Sequence, residues 1–157
     1  MQSEQRTAPE LTTVAYTDPV ARRLVTAALA DLGARYGGEG DATPVDPAEF
    51  VPPAGVFLVA WRGDEPVGCG AWRTHGPDAE LKRMYTVPAA RGTGVAGAVL
   101  AALEDDARRA GRTRMVLECG ARQPEAIAMY ERFGYRRIPN YGFYADAPDC
   151  LSYARML

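Results

Sequence analysis

The sequence predicts a mixed α/β (α+β) domain whose central sheet has about six to seven strands, flanked by about four helices. Three observations carry that expectation. Three strand-like runs between residues 55 and 87 are separated only by turn residues, the pattern of an antiparallel meander. A strand, a glycine-rich turn, a helix and another strand follow between residues 79 and 119, the pattern of a βαβ unit. One further helix and two short strand-like runs occupy residues 123–156. The 157 residues suit one core, and the 47% apolar and 24% charged content is that of a globular chain rather than a disordered one. Residues 1–10 are polar and read as a flexible N-terminus, leaving 11–157 as a single domain.

Each element has its own signal. Leu11 to Tyr16 reads as a first strand. Asp18-Pro19 places a capping carboxylate before a proline at the first helical position. Val20, Leu24, Val25, Leu29 and Leu32 then recur on one helical face, and Gly37-Gly38 ends the helix by Tyr36. Glu39 to Pro53 is rich in Pro, Asp and Gly and reads as a loop, with a short helical turn at 46–50. Gly55 to Trp61, Pro66 to Thr74 and Ala79 to Val87 are the three meander strands, joined through Gly63-Asp64 and His75-Gly-Pro-Asp78. Val95 to Ala110 is a helix with Ala96, Val99, Leu100, Leu103 and Ala107 at helical spacing, and Gly111 ends it. Thr113 to Cys119 is a short buried-type strand. Gln123-Pro124 opens a last helix that Gly134 closes, and Tyr135–Ile138 and Cys150–Met156 are the final strands.

Charge and composition narrow the function classes. A formal net charge of −2, from 18 Lys+Arg against 20 Asp+Glu, gives no basic field for nucleic acid. Cys69, Cys119 and Cys150 form neither a CxxC pair nor an even framework, so they read as reduced thiols of a cytoplasmic protein. The first residues lack the apolar stretch of a signal peptide, and no run approaches the ~18 residues of a membrane span. With one histidine, His75, no metal site is expected.

The most informative segment is Val87-Pro-Ala-Ala-Arg-Gly-Thr-Gly-Val-Ala-Gly97. Gly92 and Gly94 lack a Cβ, so the backbone can approach a ligand closely. The turn opens onto a helix N-terminus, whose unpaired amides and dipole favour an anion, above all a phosphate. Main-chain donors from Gly92 to Gly97 can cradle a pyrophosphate, with Arg91 nearby. A P-loop requires Gly-Lys-Ser/Thr where this chain has Gly94-Val95-Ala96. Gly92-Thr-Gly-Val-Ala-Gly97 matches the GxGxxG of nicotinamide-dinucleotide folds, but it follows a meander and no second nucleotide half remains. On pattern alone, a plain strand–helix connection with no ligand stays open.

Arg91-x-x-Gly94-x-Ala96 also matches the Gln/Arg-x-x-Gly-x-Gly/Ala signature of the GNAT superfamily. Upstream, Glu80-Leu-Lys-Arg-Met-Tyr-Thr-Val87-Pro resembles that family's fourth strand. Downstream, Gln123-Pro-Glu-Ala-Ile-Ala-Met-Tyr130-Glu-Arg-Phe-Gly-Tyr135 resembles its alanine–tyrosine helix, and Ile138-Pro-Asn-Tyr-Gly142 a segment of small bacterial members. The match spans about residues 55–145, in order and at the right spacing. The resemblance implies a GNAT-like fold and transfer of acetyl from acetyl-CoA to a primary amine. It implies CoA's pyrophosphate on the turn (Arg91, Gly92, Gly94, Val95, Ala96, Gly97) and pantetheine along Met84, Tyr85 and Val87. An amide near Met84 or Tyr85 would polarise the acetyl carbonyl. Gln123 stands where many relatives carry a pantetheine-contacting asparagine.

Amide formation from a thioester moves two protons, each assisted transfer contributing roughly 10²–10⁴-fold. By the resemblance, Glu80 is the candidate base, acting through water, and Asp78 is a weaker rival. Glu80 as a solvated strand-edge carboxylate paired with Lys82 or Arg83 is an equal reading. Tyr130 is the candidate acid for the thiolate. His75 reads as an exposed turn residue, Cys119 as a packing residue, and Trp61 and Trp72 as core or cleft-wall aromatics. The acceptor site is expected among the first helix, Glu39–Pro53 and Asn140–Asp149. The acidic bias of Glu39, Asp41, Asp46 and Glu49 points to a small cationic amine. A catalytically silent CoA-binding regulatory module of the same fold is the alternative, and exposed strand edges would allow a homodimer.

Overall fold

The computed structural model describes residues 7–157. The expected flexible N-terminus therefore lies mostly outside the described residues. Seven strands form one sheet: β1 (Glu10–Thr13), β2 (Gly55–Arg62), β3 (Glu65–His75), β4 (Asp78–Thr86), β5 (Arg114–Gly120), β6 (Arg136–Ile138) and β7 (Cys150–Met156). Their spatial order is β1-β2-β3-β4-β5-β7-β6, and every pair is antiparallel except β4 with β5. Three α-helices cover it: α1 (Pro19–Tyr36), α2 (Val95–Arg109) and α3 (Pro124–Arg132). The expected fourth helix is reduced to single 3-10 turns at Pro47–Phe50 and Pro88–Ala90. No helix of the described residues is long and apolar enough to cross a membrane.

The sheet separates two cores, because successive side chains of a strand point to opposite faces. On one face Val56, Leu58, Trp72, Ala79 and Leu81 pack with Val99, Leu100 and Leu103 of α2 and Tyr130 of α3. On the other, Phe57, Val59, Cys69 and Ala71 pack under Ala21, Leu24 and Val25 of α1. The Asp18 carboxylate caps α1 through Val20 N at 2.9 Å, as its sequence predicts. The first strand is earlier and shorter than expected. It pairs through Thr13 with Leu58, adds one bond from Val14 N to Phe57 O, and then turns away to start α1.

A buried network ties α2 to the far side of the sheet. Glu104 accepts from Tyr135 Oη at 2.8 Å and from Arg155 Nη1 at 2.8 and 2.9 Å. Asp78, the weaker of the expected bases, instead pairs with Arg114 at 2.7 and 3.1 Å, pinning the start of β4 to the start of β5.

Candidate active site

Beyond that pin, β4 and β5 part. Their parallel pairing covers only Ala79 with Met115 and Glu80 with Val116. The backbone of β4 from Leu81 to Thr86 thus faces a cleft of about 530 Å³ instead of a neighbouring strand. Such an edge can accept an extended ligand as an added strand.

A β-bulge shapes the edge. The register between β3 and β4 shifts between Cys69 and Ala71, so that Gly70 has no single partner. A Cβ on Gly70 would stand 2.5 Å from Met84 Sδ and 2.7 Å from Val99 Cγ1, so glycine is required there. Opposite it, Arg83 adopts φ 59°, the only positive φ outside glycine among the described residues. That conformation costs about 1–2 kcal/mol. It is held by Arg83 Nη1 on Asp41 Oδ2 at 2.7 Å and by the Cys69 thiol donating to Arg83 O at 3.3 Å.

The glycine turn closes one end of the cleft. Gly92 (φ 75°) and Gly94 (φ 91°) occupy the left-handed region, and space for a Cβ is open at both. Gly94 is the N-cap of α2 and no side chain caps that end, so the amides of Val95, Ala96 and Gly97 lack helical partners. Arg62 clamps the turn from β2, with Nη1 on Thr93 Oγ1 at 2.6 Å and Nη2 on Thr93 O at 2.9 Å. Gly97 serves packing as well, since a Cβ there would meet Phe133 Cζ at 2.9 Å. Arg91 folds back, with Nε on Thr86 O at 3.1 Å and its guanidinium 5.8 Å from the Tyr85 ring centre.

At the other end, Tyr130 reaches the cleft from α3. Burial pushes its phenol well above the ordinary tyrosine range, with the neighbouring Cys119 adding to the rise. It therefore stays protonated and presents an O–H donor. Burial also pushes the Cys119 thiol up to about 12, which keeps it from acting as a nucleophile at neutral pH.

Glu118 is the feature the sequence reading passed over. Its Oε2 accepts from Tyr144 N at 3.0 Å and from the Cys150 thiol at 3.6 Å. Its Oε1 is buried with no hydrogen-bond partner among the described residues. Gly142 makes room for it, since a Cβ there would stand 2.5 Å from that oxygen. Glu118 lines both the cleft and an adjoining cavity of about 250 Å³.

That second cavity lies between the end of α1 (Leu32, Tyr36), Gly40-Asp41 and the 144–150 segment, the three regions expected to build an acceptor site. The acids of the 39–53 loop are, however, largely spent internally. Asp46 and Glu49 form a capping box on the 3-10 turn, and Glu49 also pairs with Arg73 at 3.3 Å. Asp41 is shared by Lys82 at 3.3 Å and Arg83 at 2.7 Å. Burial alone would raise the Asp41 carboxyl, but Lys82, two hydrogen bonds from Thr43 and Arg83 outweigh it and hold it at about 2.

The structure gathers Met84, Tyr85, Arg91, Gly92, Gly94, Val95, Ala96, Gly97, Gln123 and Tyr130 around one cleft. Val87 is packed against the core beside it. Glu80 lines neither cavity. It is 2% exposed, with Arg73 Nε on Oε1 at 2.8 Å and Tyr141 Oη donating to Oε2 at 2.7 Å. His75 is exposed and lies edge-on to Tyr141. Glu118 carried one legible signal, a lone charge following the apolar run of β5. Asp41 was legible only as one acid of a biased loop, and its clamp was not, because its partners lie about 41 residues away in sequence.

Comparison with known proteins shows the family. The model of the acetyltransferase (GNAT) family matches residues 26–135. An IAA acetyltransferase of Azospirillum brasilense is 42% identical over 98 residues, covering 61% of this chain and 63% of that protein. The chain thus aligns with about three fifths of that relative's length. Among solved structures, a Klebsiella pneumoniae protein provisionally described as an acyl-CoA N-acyltransferase superposes with TM-score 0.79 at 30% identity, over 95% of this chain and 97% of its own. An Elizabethkingia anophelis family member, solved with acetyl-CoA bound, has TM-score 0.70 at 15% identity, over 96% of this chain and 99% of its own.

Proposed function

This chain belongs to the GNAT acetyltransferase family, and we propose that it transfers an acetyl group from acetyl-CoA directly to the primary amine of a small molecule. One observation carries the reading. The unpaired edge of β4 shares one cleft with an uncapped helix N-terminus entered through Gly92 and Gly94 and with Glu118 of β5, whose Oε1 has no hydrogen-bond partner among the described residues. The residues suit acetyl-CoA at both ends: orphan amides for phosphates, and a free β4 edge for the amide-bearing pantetheine arm. When bound, acetyl-CoA supplies an activated acetyl thioester.

The chain's own groups then divide the work. Val95, Ala96 and Gly97 hold phosphate through main-chain N–H groups. One main-chain amide near Met84 or Tyr85, at the bulge, offers a donor to the acetyl carbonyl. Glu118 takes a proton from the ammonium, freeing the amine to attack, and the proton lost as the C–N bond forms balances the one given to the released sulfur. Tyr130 donates a proton to the sulfur released as the C–S bond breaks. The base is assigned to Glu118 rather than Glu80, because Glu118 faces both cavities while both Glu80 oxygens are engaged by Arg73 and Tyr141. The raised thiol of Cys119 favours direct transfer over an acetyl-cysteine intermediate.

Glu118→Gln should lower kcat by about 10²-fold or more while leaving CoA affinity nearly unchanged. Tyr130→Phe should lower kcat in the same way, by about tenfold or more. Glu80→Gln should chiefly destabilise, because it weakens the pair that buried Glu80 makes with Arg73. Steady-state kinetics beside CoA calorimetry decides the matter. A fully folded Glu80→Gln variant that loses kcat, beside an active Glu118→Gln, would return the base to Glu80. Absent turnover in the wild type with CoA bound would mark a silent CoA-binding module.

A further inference from the structure

We propose that the acceptor is a free amino acid, whose ammonium is received by Glu118 and whose carboxylate is received by Lys82. This rests on the transferase reading above and specifies its acceptor. The 250 Å³ cavity has two charged walls. On the β5 side Glu118 lines the cavity, and its Oε1, buried beside Gly142, has no hydrogen-bond partner among the described residues. On the β4 side Lys82 and Asp41 line the cavity, and Arg83, which lines only the larger cleft, shares Asp41 with Lys82, leaving one positive charge in surplus over the three groups.

Lys82 is the end of that surplus that lines the cavity. Its side chain is 7% exposed and lines both cavities. Its ammonium has three donors and, among the described residues, one polar contact, Asp41 at 3.3 Å. Arg83 is better satisfied, by Asp41 at 2.7 Å and Tyr16 Oη at 3.4 Å.

The other titratable groups around the cavity do not cancel this polarity. Asp149 pairs outward with Arg122 at 3.5 Å. Burial raises the Cys119 and Cys150 thiols to about 12 and about 11, so both are neutral. Tyr144 Oη accepts from Ala42 N at 2.6 Å, and Tyr36 Oη accepts from Arg122 N at 3.0 Å. What remains is a small cavity with one negative and one positive pole. A compact zwitterion satisfies both poles, whereas a polyamine or another simple cation satisfies Glu118 and meets Lys82 with like charge. A peptide N-terminus carries no carboxylate beside its amine.

The test is a matched acceptor panel: the L-amino acids, their carboxamides and the corresponding decarboxylated amines, with acetyl-CoA and release of CoA thiol as readout. At least one amino acid should show kcat/KM about tenfold or more above its amide and its amine, the worth of one charge-assisted pair. Lys82→Met should erase most of that acid-to-amide ratio through KM, and Lys82→Arg should restore it. Amides or amines used as well as the acids, or a ratio insensitive to Lys82→Met, would overturn the amino-acid assignment and leave the transferase standing. No transfer to any member, with CoA still binding, would overturn both.

Discussion

At the scale of single residues, Asp41 and Cys119 make opposite contributions. Asp41 is held at about 2, below the ordinary ~3.9 of an aspartate, by the cations it joins. Its stabilisation is therefore complete above about pH 4 and fades as pH falls toward 2. It amounts to roughly 2 kcal/mol. Asp41→Asn should lower Tm at pH 7 by about 4–8 °C, and acid titration of unfolding should show the gap narrowing below pH 4. A gap that stayed constant to pH 2 would mean that the clamp is not electrostatic. Cys119 lines both cavities, yet its thiol is raised to about 12 by burial. Cys119→Ala should keep acetyl transfer within a few-fold, and mass spectrometry of the wild type with acetyl-CoA should find no acetylated cysteine. Stoichiometric acetyl-Cys119 would contradict direct transfer.

At the scale of elements, the site depends on two backbone irregularities that glycine permits. The bulge opposite Gly70 turns β4 toward the cleft, and a methyl group there would collide with Met84 and Val99. Gly70→Ala should cost about 1–3 kcal/mol by overpacking and shift the reacting amides with it, read as a fall in both Tm and kcat. Gly94 differs, because its Cβ position is open and only its φ of 91° resists substitution. Gly94→Ala should cost about 1–2 kcal/mol of stability and weaken CoA binding by about tenfold or more, as the turn loses the shape that presents its amides. CoA calorimetry on the two variants separates these effects. Equal CoA affinity in Gly94→Ala would remove the turn from the binding account.

At the scale of the molecule, the sequence carried the layers but not the convergence. The meander, the βαβ unit and the phases of α1 and α2 were readable, because hydrophobic period and glycine placement act over a few residues. The order β5-β7-β6 was not, since nothing local says that a strand at 150–156 enters between two earlier ones. The first strand was misplaced toward Tyr16, because Val14 and Tyr16 keep an alternating pattern after the ladder has ended; both pack instead on the α1-side core. The glycine turn and Tyr130 were legible as motif residues. The fate of Glu80 and the importance of Glu118 were not, because burial and partners decide them and those come from Arg73, Tyr141, Gly142 and Tyr144. The same convergence makes a whole-molecule measurement decisive. Thermal unfolding with CoA, acetyl-CoA and NADH, each at about 100 times the expected dissociation constant, asks whether the cleft is built for CoA. CoA and acetyl-CoA should each add about 2.7 kcal/mol, or about 5–10 °C, and NADH should add nothing. An unmoved Tm with both CoA species, or a shift with NADH alone, would contradict the account.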